Sequence, residues 1–354
     1  MIHVPADELT ALVARIFRAE GASEGEAERI AVNLVDTNLA GHDSHGVVRV
    51  PRYVQYARDG HVRYGGTAET VTDTGPLVLL DGHFAFGQSL GHEVVACGVE
   101  RAREHGVALV ALRRAGHLGR IGAWAEDAAA EGIVSVHFVN VGRSALVAPF
   151  GGAQRRMSTA PVAVGVPTDD PQRPFVLDFA TSRVAEGKAL VALAGGPPVP
   201  DGALVDGEGR LTADPRALYG EVPEGAVPDP RGGPGALVAM GEHKGSGLAL
   251  ACELLAGALT GSGATGPGEG AYNGWLAVFL DPSRLDAGSS QSGWAAAVTD
   301  YVDWVRTARP AAGHERVLAP GDRERATRAE RLASGVPLPE ATWNAINACL
   351  EEPA

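Results

Sequence analysis

Apolar side chains recur at helical spacing in the first two segments of the chain: Leu9, Leu12, Val13 and Ile16 within residues 6–20, then Ile30, Val32, Leu34, Val35 and Leu39 within residues 24–40. Gly21-Ala22-Ser23 separates them, and Ser23 followed by Glu26 has the spacing of a capping box, so two helices are predicted to open the chain. Gly41 to Gly46 breaks the pattern. A third periodic segment, from about Val47 to Arg58, carries Pro51 in an early turn, where its missing N–H costs little. Asp43 or Ser44 is placed to cap it, which sets His45 at or near a helix N-terminus.

From about residue 66 the period changes. Strands are predicted at 67–74, 76–82, 107–116, 134–140, 160–168 and 174–180, with helices at 90–106 and 121–132 between them. Residues 195–235, rich in glycine and proline, read as an excursion of loops. A helix at 246–260 follows, then a glycine-rich connection from Gly261 to Gly270 and a last strand at 275–281. The chain turns helical again at 292–308, 323–334 and 339–352. The economical arrangement is an α/β centre flanked by one helical domain made from both ends, divided at 1–70, 71–281 and 282–354.

Composition narrows the class. With 354 residues, 45% of them apolar and 21% charged, the chain can bury a core and stay soluble. A formal net charge of −13, from 43 acidic and 30 basic residues without a basic run, argues against nucleic acid or another polyanion as partner. A small carboxylate remains open, since one arginine can hold it whatever the global charge. Three scattered cysteines, Cys97, Cys252 and Cys349, read as a reducing compartment and speak against structural zinc. The N-terminus lacks a basic, then apolar, leader pattern, and no apolar run approaches a membrane span, so a cytoplasmic protein without membrane contact is expected.

Candidate chemistry begins with what is missing. Gly261-Ser262-Gly263-Ala264-Thr265-Gly266 has the letters of a dinucleotide fingerprint, but it follows an apolar helix and precedes Pro267, so it reads as a helix stop and loop. No histidine pair has compact metal-ligand spacing: His92-Glu93 continues as Val94-Val95-Ala96, and no metal site is assigned. His45 and Arg49 lie four residues apart and could offer a proton donor and a carboxylate clamp, as reduction of a 2-oxo acid requires; equally they could cap and solvate a helix. His117, where a strand gives way to a helix, is either a functional loop histidine or a satisfied one. Lys244, in a glycine-rich helix start, could meet a pyrophosphate or mark only a tight turn.

Asp43-Ser44-His45-Gly46-Val47-Val48-Arg49-Val50-Pro51-Arg52-Tyr53 resembles the signature of the type-2 malate/L-lactate dehydrogenase family, which includes ureidoglycolate dehydrogenase, diketogulonate reductase, sulfolactate dehydrogenase and piperideine-carboxylate reductase. Gly116-His117-Leu118-Gly119, Val176 to Ser182, Gly187-Lys188, Thr212 to Pro215, His243 to Gly247 and Leu318 to Asp322 follow in the family's order, so the resemblance spans nearly the whole chain. It implies a homodimer with a non-Rossmann fold, a central mixed sheet and NAD or NADP as cofactor. By that likeness the cofactor contacts are Asn140, Asp178, Phe179, Ala180, Thr181, Ser182, His243, Lys244, Gly321, Asp322 and Arg323. His45 would be the proton donor with His117 close by, and Arg49 and Ser44 would bind the substrate.

Two departures stand near the expected site. Ser158-Thr159-Ala160-Pro161 replaces the Gly-Thr-Asn-Pro of many members, and Asn140-Val141-Gly142-Arg143-Ser144 differs from their Asn-Ser pattern. The expected reaction is hydride transfer between a nicotinamide and a small 2-oxo acid of the malate or lactate type. Reduction of a cyclic imino carboxylate such as piperideine-2-carboxylate needs the same acid, clamp and hydride geometry. A metal-dependent hydrolase or lyase is the alternative from another class.

Overall fold

The structure, a computed structural model, describes residues 1–193, 195–223, 228–268, 271–285 and 293–351. Residues 224–227 of the expected loop excursion, 269–270 of the glycine-rich connection, Ser292 and Glu352 lie outside the described residues.

Strand β1 (Ile2–Val4) leads into α1 (Ala6–Ala19) and α2 (Glu24–Leu39), the latter capped by Ser23, whose hydroxyl accepts from the Glu26 N–H. Two short 3₁₀ turns, Asp43–His45 and Val47–Arg49, precede α3 (Val50–Arg58). Then come β2 (Glu69–Asp73), β3 (Leu77–Asp81), α4 (Gly87–His105), β4 (Val107–Ala115), α5 (Ile121–Ala130), β5 (Val134–Gly142), β6 (Val147–Ala148), β7 (Pro161–Val166) and β8 (Phe175–Ala180). The next stretch holds α6 (Glu186–Leu193), β9 (Leu204–Val205), β10 (Leu211–Thr212), α7 (Arg216–Tyr219), β11 (Ala236–Val238), α8 (His243–Cys252) and β12 (Tyr272–Leu280). The chain closes with α9 (Gly293–Arg306), α10 (Asp322–Ser334), β13 (Val336–Leu338) and α11 (Glu340–Glu351).

Seven strands form the central sheet in the order β2-β3-β4-β12-β5-β7-β8. Within it β3 and β4 run parallel, while the other described neighbours are antiparallel. This is a mixed sheet and not the doubly wound parallel sheet that a dinucleotide fingerprint requires. The glycine run after α8 confirms the point locally, because Gly261 and Gly263 take left-handed φ of +76° and +93° as the helix stops. Apolar alternation along β4 and β12 buries Leu112, Trp275 and Phe279 against α4 and α5, which contribute Leu90, Val94 and Trp124.

Both ends of the chain share a second core. β1 pairs antiparallel with β13, Val4 opposite Val336, and Leu9, Ile16, Phe17, Ile30 and Leu34 pack with Val336, Leu338 and Ile346. A third core lies under the stretch expected to be only loops. There β9, β10 and β11 join β6 in a four-stranded sheet, and Leu204, Leu218, Tyr219 and Leu237 pack with Val147 and Cys252. Two-residue strands carry no readable period; burial of these few side chains holds them. The expected helix 246–260 begins earlier, at His243, and winds as a π-helix over Glu253–Ala258. Among the described residues no helix is long and apolar enough to cross a membrane.

Candidate active site

The segment between α2 and α3 does not form the capped helix start expected of it. Gly46, at φ −87° and ψ −149°, splits it into the two 3₁₀ turns, and neither Asp43 nor Ser44 caps α3. A Cβ on Gly46 would sit 2.1 Å from Asn38 Oδ1, the same oxygen that accepts from the Val47 N–H, so only glycine lets the turn close on α2. Asp43 accepts instead from Asn38 Nδ2 at 2.6 Å and from Arg331 of α10, and His42 meets Glu324 at 3.3 Å. The turn carrying His45 is thus pinned by charged side chains from the far end of the chain.

Arg49 folds back so that its Nε donates to the Ser44 carbonyl at 2.6 Å, while the Ser44 hydroxyl lies 2.9 Å from His45 Nδ1. His45 stacks on His117, ring centroids 5.6 Å apart and planes 22° from parallel. The two histidines, 72 positions apart in the chain, therefore form one surface. Both are held neutral. Burial, then the Arg49 cation, then His117 keep His45 well below its ordinary value, and burial followed by Arg49 pushes His117 down to about 3. His45 closes a 3₁₀ turn and does not stand at the N-terminus of α3, where the spacing placed it.

A donor chain fixes the His117 proton. Gln88 Nε2 donates to the Tyr53 hydroxyl at 3.3 Å, and Tyr53 lies 2.6 Å from His117 Nδ1, which also accepts from the Gly119 N–H at 3.3 Å. With its oxygen already accepting, Tyr53 directs its proton to Nδ1, so the neutral ring carries hydrogen on Nε2. His117 can donate a hydrogen bond from Nε2 but has no free lone pair there. His45 has no such constraint, because a serine hydroxyl can donate or accept.

Asp178, at the end of β8, reaches the same neighbourhood. Its carboxylate accepts from the Gly122 N–H at 2.8 Å, at the start of α5, five residues after His117. Burial raises its pKa, and the nearby Arg120 cation opposes that rise. Arg120 is itself almost wholly buried, paired with Glu126 and 3.5 Å from Asp36. The start of α6 closes the other side: a Cβ on Gly187 would lie 2.7 Å from the Ser44 Cβ, and Glu186 Oε2 stands 3.8 Å from Arg49 Nη2. Tyr219, from the excursion 195–235, donates to Glu186 Oε1 at 2.6 Å.

Comparison with known proteins identifies the family. Residues 4–347 match the family model for malate/L-lactate dehydrogenase. The chain belongs to that family. It is 40% identical over 348 residues to hydroxycarboxylate dehydrogenase B of Escherichia coli (strain K12), covering 96% of this chain and 91% of that protein. It is 39% identical over 322 residues to L-lactate dehydrogenase of Cupriavidus necator, covering 89% and 88%. A crystal structure of a dehydrogenase from Sinorhizobium meliloti superposes with a TM-score of 0.85 at 31% identity, covering 98% of each chain. This malate/L-lactate dehydrogenase family member is a hydroxy-acid oxidoreductase, and the hydrolase or lyase alternative falls.

The residues expected at a cofactor divide in two. His243 and Lys244 are exposed at the start of α8; the His243 ring meets Phe150 edge-on, and Lys244 has no partner among the described residues. Arg323 is exposed, and Phe179 and Ala180 are half-buried. The others are engaged by the fold. Asn140 is wholly buried and gives both amide hydrogens to Glu253 and Gly263 O. Thr181 and Ser182 donate to the carbonyls of Thr159 and Val184. Asp322 is paired with Arg306 and Arg325, which hold it near 2 against the upward pull of burial, and Gly321 takes φ +91° ahead of α10.

The first departure is explained at Ser158. Ser158 donates its hydroxyl to Glu253 Oε1 at 2.6 Å, adding a donor to a buried carboxylate that also accepts from the N–H groups of Ser158 and Thr265. Ala160 sits at φ +34°, a region that asparagine tolerates better than alanine, so nothing in the structure explains its standing in place of asparagine. Sequence reasoning missed Tyr53, Gln88, Glu186 and Tyr219. Tyr53 lay within the quoted signature, four residues after Arg49, and Glu186 directly precedes Gly187-Lys188; Gln88 and Tyr219 left no signal.

Proposed function

We propose that this chain interconverts a small 2-oxo acid and its 2-hydroxy acid with NAD or NADP, His45 moving the proton and Arg49 holding the substrate carboxylate. The stacked pair of neutral histidines beside Arg49 carries this reading. A bound nicotinamide supplies or accepts the hydride. Reduction of the carbonyl then needs a proton on its oxygen, and His117, with Nδ1 occupied, can only orient and polarise that oxygen from Nε2. His45 is left to move the proton: neutral, it accepts the hydroxyl proton when the alcohol is oxidised, and for reduction it must first take up a proton from solvent. When a carboxylate neutralises Arg49, the second-largest influence depressing His45 is relieved, so the site gains proton affinity as substrate arrives.

The donor chemistry around α8 suits a dinucleotide. Lys244 adds a cation and His243 a ring nitrogen to the free amides of a helix start, which favour a pyrophosphate; the β8 end from Asp178 to Ser182 and the Gly321–Arg323 turn complete the proposed set, while Asn140, wholly buried against Glu253 and Gly263, supports the site from within the core. We also assign the protein to the cytoplasm and to a homodimer. Leu250, Leu254 and Leu259 support the dimer, being more than half exposed along α8 and its π extension.

The test is oxidation of NADH and NADPH, followed by absorbance, against a panel of 2-oxo acids and cyclic imino acids with chelator present. Turnover of the 2-oxo acids is expected. Turnover confined to the imino acids would move the reaction to the other redox chemistry, and loss of activity with chelator would return a metal to the mechanism.

A further inference from the structure

We propose that Glu186 makes this site select monocarboxylates, admitting 2-oxo acids whose far end is uncharged and rejecting those with a second anionic group. The proposal rests on the reading of Arg49 as the carboxylate clamp and goes beyond it by naming the substrate class.

The clamp does not stand alone. Glu186 Oε2 is 3.8 Å from Arg49 Nη2, and both side chains are partly exposed, at 18% and 27%, so both face whatever Arg49 binds. The acid cannot easily turn away. Tyr219, almost fully buried, donates to its Oε1, and Gly187 is packed against Ser44, which fixes the start of α6 beside the His45 turn. A carboxylate on Arg49 answers that cation and leaves the Glu186 charge facing the rest of the substrate. A second carboxylate or a sulfonate would then lie within several ångströms of a fixed like charge, whereas a methyl or hydroxymethyl group would meet no repulsion. Arg52, one turn along α3, is the other cation near Tyr219; it is exposed over the Tyr56 ring, where water screens it.

At the effective dielectric of a partly exposed site, a like charge at such a distance costs about tenfold or more in affinity. Glu186→Gln keeps the shape and can still accept from Tyr219 while removing the charge. The experiment compares kcat/KM for pyruvate and oxaloacetate in the wild type, Glu186→Gln and Arg49→Ala. Wild type is expected to favour pyruvate. In Glu186→Gln the value for oxaloacetate should rise about tenfold or more without a matching rise for pyruvate. An unchanged ratio, or an equal fall for both acids, would overturn the proposal, the second outcome making Glu186 only a support for Arg49. Arg49→Ala separates the underlying reading: it should raise KM for pyruvate, and if it does not, the clamp itself is wrong.

Discussion

His45 and His117 touch ring to ring, yet the two turns that present them are held by different means. The His117 turn is set among buried groups: the Tyr53 hydroxyl and the Gly119 amide converge on one ring nitrogen, Gln88 donates to that hydroxyl and to the His117 carbonyl, and Trp124 donates to the Leu118 carbonyl. The His45 turn is held from outside, by Arg331 on Asp43 and by Glu324 at His42, both from α10. A buried network fixes a tautomer, because every donor there must find an acceptor. Half-exposed ion pairs fix only a position, and salt and water weaken them. The turn proposed to exchange a proton is the one with the freer ring.

The largest effect should come from His45→Ala, with turnover lowered by roughly a hundredfold or more while titration of NADH binding stays near wild type. If His117→Ala alone abolishes turnover, the assignment of roles reverses. Next is Tyr53→Phe, which keeps the ring in the helical core but leaves only the long Gly119 contact on His117 Nδ1; kcat should fall by about tenfold, with little change in melting temperature. An undiminished kcat would show that the donor chain does not govern the tautomer.

Acid should act on both histidines through stability. Their folded pKa values lie below the ordinary 6.5, as does that of the buried His137, pushed down to about 3 by burial. Such groups bind protons in the unfolded chain first, so their contribution is complete above pH 6.5 and drains away as pH falls toward the folded values, by up to about 1.4 kcal/mol per pH unit for each residue. Denaturant melts from pH 7 to 5 should show this slope, reduced in His137→Phe. The smallest effect belongs to Arg331→Ala: a loss of about 1 kcal/mol or less, visible mainly at low salt. A loss of turnover as large as that of Tyr53→Phe would mean the ion pairs do more than place the turn.

Much of the architecture was legible because it is periodic. The helices of α1, α2, α4 and α5 and the strands β4, β5 and β12 follow directly from apolar spacing, and the absence of a strand before the Gly261 run excluded a Rossmann site. The α3 segment misled, since Gly46 breaks a helical pattern for a contact with Asn38 that spacing does not reveal. The excursion 195–235 misled for another reason: Leu204, Leu218 and Tyr219 are buried in a core shared with Val147, 57 to 72 positions earlier, and no local pattern encodes that.

The sequence by itself determined the family, the chemistry available at His45, Arg49 and His117, and the order of the main elements, because motifs and periodicity are properties of neighbours in the chain. Only the tertiary structure decided that the two histidines stack, which nitrogen of His117 carries its proton, and that Glu186 faces the clamp. Each of these depends on distances between segments remote in sequence, set by the packing of α3, α6 and the turn before α5 against one another.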